Sequence, residues 1–295
     1  MRRPHLLLLC ALAGACGLAA ACGAPAAPSP TAGPRPPTWL ELDGVRMLVT
    51  TTRGARGHED AALPLLVVLP WSHSTPAELL AEVGYVEIDV PARVIAIQGF
   101  EPDRGGYSFW VRTRPVPTDP DDDDEWLALV TARAARLAAL LERLRAHFHA
   151  REPPVVSGVS QGADLSLVLA LRHPGSITAA LPIAARAPAS IWPAPTAHVS
   201  SPGQPDGDSA GARRTGGHSG KAAIDAFQGT ADEAAPFAAF ARATEALRAR
   251  GVPLVLHAYP GVKHEVSPAM RRDILACAAA RLRESRSTSG CPAAS

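Results

Sequence analysis

Residues 153–171 read PPVVSGVSQGADLSLVLAL, and the fold is decided by how this stretch is parsed. Pro153 to Ser157 is a short apolar run with a proline start, which predicts a buried strand. Ala163 to Leu171 carries the apolar periodicity of a helix. Between them sits Gly158-Val159-Ser160-Gln161-Gly162. A strand, a sharp turn and a helix are the context that a G-x-S-x-G nucleophile turn requires. Such a turn strains the serine backbone, and the flanking glycines let strand and helix approach without a Cβ clash. The Ser160 hydroxyl is then expected at the carboxyl end of a sheet, near the positive end of the following helix.

Outward from that motif, apolar runs predict strands over Val45–Thr51, Leu65–Leu69, Arg93–Ile97, Ile177–Ala184, Ala222–Phe227 and Pro253–Tyr259. Leu65–Leu69 (LLVVL) is apolar throughout, as a strand buried on both faces should be. Helical stretches are read at Pro76–Val83, with Thr75 as cap, and at about Glu125–Ala150, Pro236–Arg250 and Pro268–Arg283. Strands alternating with helices from Leu65 onward predict an α/β fold with a mostly parallel central sheet and helices on both faces. Gly99 to Asp119 is read as irregular and contains GGYSFW at residues 105–110. Residues 187–220 form a Pro-, Gly-, Ser- and Ala-rich insert, expected as disorder rather than as a flap over the site. No long apolar segment predicts a large cap domain.

A serine hydroxyl is a weak nucleophile until a base accepts its proton and a carboxylate orients that base. Asp232 is the acid candidate, in the turn FQGTAD after a strand, where Gly229 is expected to permit the tight turn. Asp at such a turn is also a common helix cap. The rival acids are Asp225 inside the strand, Glu233 next along, and Asp206 and Asp208 in the insert. His264 is the base candidate, in the loop YPGVKHE between the last strand and the Pro268 helix. Its rival, His257, falls mid-strand, where burial or a helix-facing position is expected. For the oxyanion, one backbone donor is expected from Gln161 and a second from the loop Pro70-Trp71-Ser72-His73. Pro70 has no N–H, so Trp71, Ser72 or His73 remains, and Ser72 is preferred. His73 is otherwise read as a surface histidine, with ligand binding as the alternative. No Cys, His and acid set shows metal-site spacing, and no cofactor is expected. The acids of PDDDDE at residues 120–125 lack the alternation and glycine of a calcium loop and are read as complementing a helix start.

The chain has 295 residues and a net charge of +1, which gives no sign of a nucleic-acid partner. Its N-terminus reads as a signal peptide over residues 1–21. Arg2 and Arg3 supply positive charge, and Leu6 to Ala21 is apolar but short and rich in small residues. LAAACG at residues 18–23 resembles a bacterial lipobox with Cys22 as the lipidated residue; cleavage after Ala21 without lipidation is the alternative. Export is expected by either route, with a lipid anchor to the membrane if Cys22 is acylated. A Pro/Ala-rich tether over 22–38 leads into a catalytic domain over 39–285 and a short tail over 286–295. Cys277 and Cys291 could pair in an oxidising compartment, or remain a buried thiol and a tail thiol. Oligomeric state is not legible.

Three motifs, GVSQGA, GTADEAAP (229–236) and YPGVKHEVSP (259–268), resemble the phospholipase/carboxylesterase branch of the α/β-hydrolase superfamily. The likeness runs from about Pro64 to Arg283, and the GGYSFW stretch is similar to a Gly-rich segment near the family's acyl site. The resemblance implies an α/β-hydrolase fold, a small-molecule ester substrate, Ser160 as nucleophile, Asp232 as orienting acid and His264 as base. It departs where the family's His-Gly pair is replaced by Pro70-Trp71, which leaves the second oxyanion donor and the acyl pocket open.

Overall fold

The computed structural model describes residues 36–114, 123–187 and 221–287. Ten strands and five α-helices organise these residues. They are β1 (Thr38–Leu42), β2 (Val45–Thr51), β3 (Leu65–Leu69), α1 (Pro76–Val83), β4 (Arg93–Ile97), β5 (Glu101–Asp103), β6 (Gly106–Ser108), α2 (Asp124–His147), β7 (Val155–Val159), α3 (Gln161–Arg172), β8 (Ala179–Ile183), β9 (Ala223–Gly229), α4 (Phe237–Ala249), β10 (Leu254–Tyr259) and α5 (Pro268–Ser287). Eight strands form one sheet in the order β1-β2-β4-β3-β7-β8-β9-β10. β1 and β2 are antiparallel additions at one edge, and all pairings from β4 to β10 are parallel.

Alternation along the central strands explains why the sheet needs cover on both faces. In β3, Leu65, Val67 and Leu69 enter one apolar cluster with α2, α3 and α4, while Leu66 and Val68 enter the other with α1 and α5. Every β3 residue is buried, so the run LLVVL has no polar face to offer. The α2 stripe Trp126, Val130, Ala134, Leu137, Leu141 and Leu144 is wholly buried at helical spacing. Thr75 caps α1 in a reciprocal capping box: it accepts from the Glu78 amide at 3.3 Å, and its own amide donates to Glu78 Oε2 at 2.7 Å. No helix among the described residues is long and apolar enough to cross a membrane.

Two elements escape the sequence reading. β1 (TWLEL) is mostly exposed and pairs along one edge with β2, so its alternation carries little apolar signal. The region read as irregular after Gly99 contains the short hairpin β5–β6, whose three-residue strands are too brief to show a period. The proposed leader with Cys22, the tether up to residue 35, residues 188–220 with Asp206 and Asp208, residues 120–122 and the tail with Cys291 lie outside the described residues.

Candidate active site

β7 ends at Val159 and α3 begins at Gln161, which leaves Ser160 alone in the turn. Its backbone sits at φ 53°, ψ −115°, a region that costs a non-glycine residue about 1–3 kcal/mol and persists only where neighbours enforce it. Those neighbours are backbone. A Cβ on Gly158 would lie 2.1 Å from the Gly162 carbonyl oxygen, and one on Gly162 would lie 2.1 Å from that of Leu69. The two glycines therefore serve close packing of α3 onto β7 and β3, as the motif predicts. The Ser160 amide also donates to Ile183 at the end of β8, at 3.0 Å.

Asp232 and His264 come to Ser160 on adjoining turns after β9 and β10. His264 Nε2 lies 3.0 Å from Ser160 Oγ, and His264 Nδ1 lies 2.8 Å from Asp232 Oδ2. The Asp232 side chain is fully buried. It accepts from the Ala235 amide at 2.8 Å and from Gln228 Nε2 at 3.2 Å as well as facing the imidazole. This satisfies most of its acceptor capacity, as a buried carboxylate requires. The Ala235 contact closes the turn ahead of α4 and does not cap the helix, whose N-cap is Pro236 with no side-chain cap hydrogen bond. The two turns are stitched together: the Thr230 amide donates to Tyr259, the Ala231 amide to Val262, and the Gly261 amide to Thr230 Oγ1, each at 2.9 Å. Gly229 serves this contact rather than a positive φ, because a Cβ there would meet the Val262 carbonyl oxygen at 2.2 Å. The rival residues lie elsewhere. Asp225 is in β9 against Arg281, and His257 is in β10 stacked on Phe227.

The opposite wall is the loop after β3. His73 takes a positive φ of 63°, and its amide donates to Ser108 Oγ at 3.1 Å. That amide is committed, so it is removed from the oxyanion candidates, leaving Trp71 and Ser72. The His73 ring is no isolated surface group: Nδ1 lies 2.8 Å from Asp103 Oδ2, which also accepts from Ser108 Oγ at 2.8 Å. Ser74 and Tyr107 exchange backbone hydrogen bonds at 3.3 and 3.0 Å, tying the loop to β6. Gln161 has a second function that the motif alone does not reveal. Its side chain accepts from the Phe109 amide and donates to the Trp110 carbonyl, both at 3.0 Å, and so clamps the end of GGYSFW.

A cavity of about 530 Å³ opens between these walls, lined by Trp71, Ser72, His73, Val159, Ser160 and His264 among others. In the first turn of α3, the buried Asp164 accepts from Trp126 Nε1 and the Arg186 amide, each at 2.8 Å. Burial raises its pKa against the opposing pull of Arg186. Asp123 caps α2 through the Trp126 amide at 3.0 Å and pairs with Arg112 at 2.6 Å. Glu125 accepts from the Thr113 and Arg114 amides at 2.8 and 3.1 Å. The described part of the acidic run is thus occupied with its own helix start and neighbouring loop.

No protein-family model matches the chain, and no curated protein does. Solved structures do. A Mesorhizobium loti carboxylesterase superposes with a TM-score of 0.56 at 16% identity, covering 82% of this chain and 97% of that one. A Bacillus cereus carboxylesterase gives 0.54 at 16% identity, with 80% and 94% covered. A Zea mays acyl-protein thioesterase 2 gives 0.53 at 18%, with 80% and 99% covered. The chain has the α/β-hydrolase fold. In this α/β-hydrolase scaffold, Ser160, Asp232 and His264 stand on the turns after β7, β9 and β10, at the carboxyl edge of the parallel sheet.

Proposed function

We propose that the protein is an exported serine carboxylesterase, carried to the bacterial cell envelope by its leader and anchored there through Cys22. The observation that carries the catalytic reading is the unbroken line Asp232–His264–Ser160, at 2.8 and 3.0 Å, ending on a serine in a strained turn. Esterases among the structural neighbours support ester substrates, and a thioester is the nearest alternative. The leader is supported by the N-terminal sequence alone.

In this reading Ser160 Oγ attacks the ester carbonyl while its proton passes to His264 Nε2. Asp232 accepts the Nδ1–H bond and holds the imidazole in the productive tautomer. The carbonyl oxygen, now negative, is received by the Gln161 and Ser72 amides. His264 then returns the proton to the departing alcohol. Water repeats the sequence on the acyl-enzyme and releases the acid. A cavity of about 530 Å³ with Trp71, Val159 and Val266 in its lining suits a small ester with a modest apolar acyl group.

Ser160→Ala tests the proposal. Hydrolysis of a p-nitrophenyl ester should fall on the order of 10⁴-fold or more with the fold intact, and labelling by a fluorophosphonate probe should disappear. Retained turnover in this variant overturns the assignment. A folded wild-type chain that neither labels nor hydrolyses any ester would instead favour a ligand-binding protein on a hydrolase scaffold.

A further inference from the structure

On the α5 side of the sheet, away from Ser160, the fold gathers three metal-ligating side chains from three elements. Asp225 of β9 pairs in register with Val255 of β10, so Asp225 and His257 point to the same face. That face packs under α5, which presents Cys277. The carboxylate, imidazole and thiol ligand atoms of Asp225, His257 and Cys277 all lie within 4.8 Å of one another. Their distance along the chain hid this grouping from the sequence.

Three observations distinguish the group from a chance cluster. His257 Nε2 is buried and has no hydrogen-bond partner among the described residues. It faces Asp225 Oδ1 at 3.8 Å, too far for a hydrogen bond. A buried ring nitrogen left without a partner is costly and rare, so it points to a missing third party. Asp225 is held from its other oxygen, since Arg281 Nε and Nη2 both reach Oδ2 at 2.8 Å. Oδ1 is thereby aimed at the group on a braced carboxylate, as second-sphere contacts brace metal ligands. Phe227 stacks on the His257 ring at 4.7 Å and 10°, which fixes its plane.

We propose that Asp225, His257 and Cys277 form a three-ligand site for a thiophilic divalent cation, with Zn²⁺ the best match. Carboxylate, imidazole and thiolate are all zinc ligands, at about 2.0–2.3 Å each. Drawing the three donors onto one ion asks for side-chain shifts of about an ångström. Charge also balances. Asp225, Asp273 and a Cys277 thiolate are negative and Arg281 is positive, and the first, second and fourth of these already act on the Cys277 thiol. Binding exchanges the Cys277 S–H bond for an S–Zn bond, with the proton leaving to solvent. The fourth coordination position is open to water. Bound there, the ion ties the edge strand β10 to β9 and α5, just before the loop that carries His264.

The test uses the full chain, metal-stripped, titrated with Zn²⁺ and separately with Co²⁺. One equivalent of Zn²⁺ should bind and raise the melting temperature, and Co²⁺ should give a thiolate-to-cobalt absorption band. Cys277→Ala should remove the band, and His257→Gln and Cys277→Ala should each weaken Zn²⁺ binding by more than the roughly 10–100-fold that loss of a supporting residue costs. Circular dichroism and fluorophosphonate labelling of Ser160 check that both variants fold, and they read the esterase proposal separately. Absence of binding to the folded wild-type chain overturns the site. So does binding that persists unchanged in both variants, which would place the metal on other cysteines and histidines.

Discussion

The two walls of the candidate catalytic cavity make an instructive contrast. On one, Ser160, Asp232 and His264 each sit within a few residues of a strand end, and glycine contacts with backbone, at Gly158, Gly162 and Gly229, set their approach. On the other, Trp71 to Ser74 follows β3 just as directly, but its shape is imposed by Asp103, Ser108 and Tyr107 from a hairpin far along the chain. The first wall is written in local motifs. The second is written in long-range polar pairs, with a histidine at positive φ where glycine would be unstrained. Gln161 joins them, because its amide stands beside Ser160 while its side chain grips Phe109 and Trp110.

Breaking the first wall should have the largest effect. Asp232→Asn keeps an acceptor for the Ala235 amide but favours the wrong imidazole tautomer. Its kcat should fall about 10⁴-fold with little change in melting temperature. A loss below tenfold would mean that the carboxylate only holds the Ala235 turn. Gly162→Ala attacks the same wall through packing. Its Cβ meets the Leu69 carbonyl oxygen at 2.1 Å, so denaturant unfolding should show a loss beyond the roughly 1–3 kcal/mol of ordinary overpacking. Wild-type stability in that variant would show that α3 can shift away from β3.

The contrast sharpens at Gln161. Gln161→Ala leaves the main-chain donor in place and removes the clamp on the second wall. Turnover should drop by about 10²-fold through misplacement of the pocket, while fluorophosphonate labelling of Ser160 continues, slowed. If kcat/KM is unchanged, the two walls are independent.

The smallest effect belongs to the scaffold below. Burial would raise the Asp123 pKa, but the Arg112 hydrogen bonds, the Trp126 amide and Arg186 outweigh it and hold the carboxyl below its ordinary value of 3.8. A depressed carboxylate pKa gives stability that is present above the unfolded value and lost as pH falls through the folded one. Asp123→Asn should therefore cost about 1 kcal/mol at neutral pH, since Asn caps as well as Asp but carries no charge. That difference should close as pH falls below 3.8. A pH-independent difference would assign the cost to packing instead.

How much could be read in advance follows the same divide. Buried strands such as LLVVL, the Thr75 cap and the GVSQG turn each depend on residues close together, and the structure keeps them within a residue or two of expectation. The β5–β6 hairpin was illegible because three-residue strands carry no period. The motif flagged Gln161 for its amide, but nothing local announced that its side chain holds another segment.

By itself, the sequence determined the alternation of buried strands and helices, the strained serine turn, and the order serine, acid, histidine. Local sterics and burial need no distant partner to be read. Tertiary structure alone decided that the His73 amide is spent on Ser108, and that Gly229 is there for the Val262 carbonyl. It also brought Asp225, His257 and Cys277 together under α5. Each of these depends on which atoms from remote segments meet, and pairwise contacts of that kind leave no periodic trace in a single chain.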